Sequence, residues 1–139
     1  MTYATQQNLT DRFGATELIQ LTDRANTGLI DVTVLNQALA DADSQIDGFL
    51  AGRYALPLAS MPKILVQTAC DLARYNLYKD AVTELVQKRH DDAIKFLTLV
   101  GQGKISLGLD VALQLPPATG GPVNTPATRI FNKTNLADY

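Results

Sequence analysis

Three stretches of this 139-residue chain combine residue types that chemistry uses. The first is Asp-Arg-Ala-Asn-Thr-Gly-Leu-Ile-Asp, residues 23–31, with the outline of half a calcium loop. Such a loop needs oxygen ligands at its third and twelfth positions, the last a bidentate Glu. Counted from Asp23, those places hold Ala25 and Val34. The spacing therefore predicts a tight turn with Gly28 at positive φ, Asp31 or Thr33 capping the next helix, and no metal. The second stretch, Gly101-Gln-Gly-Lys-Ile-Ser, has the glycines and lysine of a phosphate loop. That pattern requires Gly where Thr98 stands and Ser or Thr where Ile105 stands, so it is not one.

The third is a set of charges at helical spacing. Arg89 interrupts an apolar stripe, and an inward guanidinium needs a carboxylate from another helix. Asp71 and Asp47 are the candidate partners, and Asp71 and Arg74 form a polar cluster beside Tyr75 and Tyr78. Two readings stand: an internal ion-pair network that fixes helix packing, or charges that face a neighbouring subunit. His90, the one histidine, lies in the charged run Gln-Lys-Arg-His-Asp-Asp with no nucleophile motif, which predicts a solvated side chain. The acid pairs Asp41/Asp43 and Asp91/Asp92 read as solvated helix faces. The expectation is a protein that is not an enzyme and has no cofactor and no metal.

Composition sets the outer limits. A net charge of -2 and a pI near 5.2 give no general pull toward nucleic acid or anionic lipid. Cys70 is the single cysteine, so no disulfide forms within the chain. The opening residues lack the basic and apolar regions of a signal peptide, and no apolar run approaches the roughly 18 residues that span a bilayer. The expectation is a soluble cytoplasmic protein.

The elements that would position these residues are mostly helices. Thr5 caps a short helix carrying Leu9 and Phe13 and closed by Gly14, and a second runs from about Thr16 to Leu21. Leu35, Leu39, Ala42, Ile46 and Phe49 step by four, three, four and three, the stripe of a long helix with one buried face. Gly52 is expected to end it through a left-handed turn, and Arg53-Tyr-Ala-Leu-Pro-Leu follows as an extended corner. A fourth helix starts near Ser60 and Pro62, with Leu65, Ala69, Leu72 and Ala73 on one face. A fifth starts near Asp80 or Ala81 and runs to Gly101, antiparallel to the fourth.

From Lys104 the period changes to two: Ile105, Leu107, Leu109, Val111, Leu113 and Leu115 alternate with smaller or polar residues. This predicts an extended arm with one apolar face. Pro116-Pro-Ala-Thr-Gly-Gly-Pro is a linker, and the end of the chain is polar, with isolated Ile130, Phe131, Leu136 and Tyr139. The organisation expected is a helical body over residues 1–104, an extended arm over 105–116, and a Pro/Gly linker with a C-terminal tail over 117–139.

Several blocks together carry a resemblance. They are Asp23-Arg24 with Ile30-Asp31, Ala38-Leu-Ala-Asp-Ala, Ile46-Asp-Gly-Phe-Leu-Ala-Gly-Arg-Tyr-Ala-Leu-Pro-Leu, Ala69-Cys-Asp-Leu-Ala-Arg-Tyr with Leu77-Tyr78, and Gly103-Lys-Ile-Ser-Leu-Gly. Over about residues 3 to 108 the chain resembles a family of small phage and prophage proteins typified by a structural protein of Mu-like phages. That family is similar to the helical head–tail connectors of tailed phages, whose subunits form a twelve-fold ring beneath the portal. The resemblance implies a mainly α, head–tail connector-like fold and a place in the virion neck, assembled in the host cytoplasm. The implied partners are further copies of the chain, the portal protein and a stopper or tail-terminator protein. No membrane is implied, and DNA only as it passes through the channel. Candidate assembly contacts are Arg53, Tyr54, Leu56, Ile105, Leu107, Leu109, Ile130, Phe131 and Tyr139. The alternatives are a stopper or tail-completion protein on the tail side of the neck, and a small helix-turn-helix DNA binder.

Overall fold

A computed structural model describes residues 1–109, which form five helices: α1 (Gln6–Phe13), α2 (Ala15–Thr22), α3 (Val32–Leu50), α4 (Lys63–Leu77) and α5 (Glu84–Gly101). Each starts where side-chain chemistry allows. Thr5 caps α1 in a reciprocal box with Asn8. Asp31 accepts from the amides of Thr33 and Val34 at the start of α3, and Thr83 caps α5 through the amide of Val86. The fifth helix therefore starts at Glu84, later than Asp80 or Ala81, with Thr83 in the extended conformation of the cap.

The long helices pack pairwise: α3 against α4, α4 against α5, and α3 against α5. Asp71 meets Arg89, and Ile64, earlier on α4, lines the same groove as Phe96, later on α5, so α4 and α5 run antiparallel across a short connection. The α3 stripe lies inward as its period requires, with Leu35, Ala42, Ile46 and Leu50 fully buried and Phe49 half-buried. Each such leucine or isoleucine contributes about 1.5–3 kcal/mol relative to exposure. The central helix is α4, buried through Leu65, Thr68, Ala69, Cys70, Asp71, Leu72, Ala73 and Leu77. Its run of small residues lets α3, α5 and α1 approach it from different sides.

Two expectations about chain direction are corrected. Gly52 does not end α3 with a left-handed turn, since its φ is not positive. The helix tightens instead into a turn in which the amides of Arg53 and Tyr54 both donate to the Leu50 carbonyl. No strand occurs among the described residues, and residues 105–109 do not project as an arm. They lie back on the body, with Leu107 buried, Ile105 and Leu109 half-buried against the core, and Ser106 and Gly108 exposed. Over residues 105–109 covered and exposed side chains alternate, and the surface they face is the protein's own corner. Residues 110–116, the linker and the tail lie outside the described residues.

That corner joins segments some fifty positions apart. Tyr54 is 1% exposed, and its hydroxyl accepts the Leu107 amide at 3.3 Å. The Arg53 guanidinium occupies the space beside Gly103, whose φ is +77°, so a Cβ there would both strain the backbone and overlap the guanidinium. Gly103→Ala is expected to cost about 2 kcal/mol in urea unfolding, of which roughly 1 comes from the left-handed backbone. In an Arg53→Ala background the cost should fall, because the clash is gone. Equal costs in both backgrounds would show that the guanidinium does not occupy that space.

Candidate functional site

The charged residues of α4 and its neighbours form one connected cluster. Arg74 reaches across to α2, where Nε and Nη2 each lie 2.7 Å from Glu17 Oε1, and its guanidinium covers the Phe13 ring at 4.4 Å. With both side chains mostly shielded, this pair ties α4 to α2 and to the end of α1. Glu17 had no sequence signal beyond its first-turn position, because no spacing rule relates residue 17 to residue 74.

Asp71 sits one turn earlier on α4 and is 9% exposed. Burial raises its carboxyl above the usual carboxylate range, opposed by the nearby guanidinium groups of Arg89, Arg12 and Arg74. Arg89 Nη1 stands 3.8 Å from Asp71 Oδ1, so the structure brings together these two of the four ion-pair candidates. The inward placement of Arg89 is corrected: its side chain is 49% exposed, lying at the rim of the α4–α5 seam. Asp47 does not meet Arg89. It accepts the Tyr3 hydroxyl at 2.5 Å and lies 3.3 Å from the Met1 nitrogen, while Asp43 accepts the Tyr3 amide at 3.0 Å. These contacts lay the first residues along α3. Burial and the Asp47 contact push the Tyr3 phenol up, and burial raises the Asp43 carboxyl.

The remaining candidates sort by what they touch. Asp23 Oδ1 accepts from the amide and hydroxyl of Thr27, and Oδ2 from the Gly28 amide at 2.6 Å, with Gly28 at φ +74°. The carboxylate thus staples the α2–α3 turn, and these bonds hold it below the usual range. His90 is not simply solvated: its ring stacks on Tyr75 at 3.9 Å and Nδ1 lies 3.1 Å from Asp91 Oδ1. Burial pushes the Cys70 thiol up to about 11, away from thiolate chemistry.

Among the candidate assembly contacts, Tyr54 and Leu107 are corrected, since both are buried in the chain's own corner. Leu56, Ile105 and Leu109 are half-buried against the same core, and Arg53 packs on Gly103. Ile130, Phe131 and Tyr139 lie outside the described residues. The surface also carries Leu29, Val32 and Leu85, at 69%, 49% and 56% exposure, although Leu85 flanks the apolar stripe of the fifth helix. All three precede or begin α3 and α5, which run parallel, so they mark one end of the bundle.

Two variants test the Asp71 environment. Arg89→Ala, half-exposed and paired at long range, should cost about 1 kcal/mol, well below the 3–5 kcal/mol of a buried pair. For Asp71 the folded-state carboxyl is raised, so its favourable contribution is full below the unfolded pKa and is lost as pH rises through the folded one. Asp71→Asn lacks that loss. Relative to the parent it should gain stability as pH climbs above about 4, read by thermal unfolding between pH 3 and 7. A difference independent of pH would refute the desolvation.

Comparison with known proteins places this architecture. The family model described as "Bacteriophage Mu, Gp36" matches residues 3–125. The chain is 37% identical over 107 residues to "Mu-like prophage FluMu protein gp36" of Haemophilus influenzae (strain ATCC 51907 / DSM 11121 / KW20 / Rd), covering 77% of this chain and 76% of that one. It is 37% identical over 111 residues to "Gene product J" of Escherichia phage Mu, covering 79% of each. The chain belongs to the bacteriophage Mu Gp36 family.

Proposed function

We propose that this phage protein is a structural, non-enzymatic component of the virion neck, a head–tail connector whose copies form a closed ring below the portal and join capsid to tail. The observation that carries the reading is membership of a Mu phage family by a chain whose body is a small, mainly helical bundle. A ring subunit needs a rigid body with surfaces left over for neighbours. Here the caps, the Arg74–Glu17 pair and the Tyr54–Leu107 corner fix the body, while Leu29, Val32 and Leu85 stay exposed at one end. The reading holds no metal and no cofactor, and the Asp23 carboxylate, already spent on the turn, fits a structural part.

The test is a phage or prophage carrying a stop codon early in the gene. Connector loss predicts filled or fillable heads and complete tails that stay unjoined in electron micrographs, with joining restored by protein supplied in trans. Joined particles lacking the protein would overturn the reading. Deleting residues 117–139 should likewise leave heads and tails unjoined; complete particles would remove the tail from the connector role.

A further inference from the structure

We propose that residues 110–115 of the same chain lie extended along the groove between α1, α4 and α5. The contact is made within one chain, so it stands whether or not copies form a ring. The groove has a volume of about 520 Å³ and two unlike parts. Ile64, at the start of α4, and Phe96, in the later part of α5, make one part apolar. Ile64 is 43% exposed although it is a large aliphatic residue, and Phe96 is half-buried. The other part carries Arg12, Asp71, Arg89 and Asp92.

The place where the described chain ends points to this occupant. After α5 the amides of Lys104 and Ile105 both donate to the Leu99 carbonyl, so the chain turns back within one turn of Phe96. Leu107 then bonds to Tyr54, at the end of the bundle where α3 and α5 stop and α4 starts. Ile64 lies at that same end. The next residues, Asp110-Val-Ala-Leu-Gln-Leu, reach about 20 Å when extended. Two turns of helix measure about 11 Å, so this length crosses the end of the bundle and continues from Ile64 to Asp71.

The sequence also keeps its phase. Ile105, Leu107 and Leu109 are the covered residues of the alternation, and Val111, Leu113 and Leu115 continue it until Pro116. A covered phase needs apolar surface to lie on. Val32 and Leu85, at the starts of α3 and α5, are at the opposite end of the bundle, whereas Ile64 is within reach.

The polar part fits a peptide rather than a charged ligand. Two arginines and two aspartates give it no net sign. An extended backbone offers a donor and an acceptor at each residue, and both need partners when covered. Half-exposed Arg89 donates to carbonyls, exposed Asp92 accepts from amides, and the exposed Gln67 side chain does either. Tethering favours the chain's own segment over that of another copy, because a short connection keeps its local concentration high.

The experiment is disulfide trapping in the full chain, with the buried native thiol removed by Cys70→Ala and a new one placed by Ile64→Cys. Val111→Cys, Ala112→Cys, Leu113→Cys, Gln114→Cys and Leu115→Cys are added one at a time, and the products of mild oxidation are read by non-reducing electrophoresis and intact mass. A disulfide closes only where the two Cα atoms come within about 7 Å. An intrachain bond to at least one of positions 111, 113 and 115, and to neither 112 nor 114, is the expected result. The same cysteines paired with Leu85→Cys should stay reduced. Dimers or ladders linked through position 64 would give the groove to a neighbouring copy and overturn the assignment. No disulfide at any of the five positions, or equal yields at all five, would overturn it too. As a second reading, alkylation of the lone Ile64→Cys thiol should speed up several-fold when Leu113→Asp and Leu115→Asp are added. An unchanged rate would show that these residues do not cover it.

Discussion

The fold depends on burying α4 on several sides at once. From Thr68 to Ala73 the helix is buried without a break, and its small residues Ala69, Cys70 and Ala73 set how close the neighbours come. Asp71 and Arg74, the charged residues in its buried stretch, then need partners from outside the helix. Arg74 finds one in Glu17 and stacks on Phe13, which is why α1 and α2, too short to persist alone, are held at all. Asp71 finds only a distant one in Arg89, and the contrast is instructive. The same burial that makes Arg74 a tie between helices leaves Asp71 short of contacts.

The body beyond α4 is closed by a corner built from two stretches some fifty residues apart. Arg53 beside Gly103 and Tyr54 bonded to Leu107 bring the end of α5 back to the end of α3. Neither half has a reason to be well ordered without the other. The turn after Leu50 would leave Tyr54 exposed, and residues 105–109 would have no surface for their apolar side. The resemblance blocks at 46–58 and 103–108 are thus two halves of one structural unit rather than two separate recognition elements.

How much of this was legible in the sequence follows from the range of the interactions. Local signals read well: the Thr5 cap, the Asp31 cap, the α3 stripe and the Asp23 turn each rest on contacts or steps of no more than five positions. Apart from Gly52, where the choice between two turns was local, errors began where the deciding partner was distant. Gly52 looked like a helix stop, but the Leu50 carbonyl was satisfied by a tighter turn. Arg89 fits an apolar period, yet a residue on that period can still lie at the rim of a seam, and half of its side chain does. Asp47 was paired in expectation with a distant arginine, while Tyr3 and the start of the chain took it. Alternation at residues 105–109 gave the right facing and the wrong neighbour, because periodicity states that one side is covered and never by what.

These distant pairings also bear on how a small helical body can serve a large assembly. A bundle of three long helices has three outer faces and three seams, and here the N-terminal stretch covers part of one face and α1 part of one seam. What remains exposed among the described residues is uneven: Asp41, Ser44 and Gly48 along α3, arginine and aspartate together between α4 and α5, and apolar area at the end marked by Leu29, Val32 and Leu85. These surfaces differ in their response to salt: interactions of exposed charge weaken as ionic strength rises, while interactions of apolar area do not.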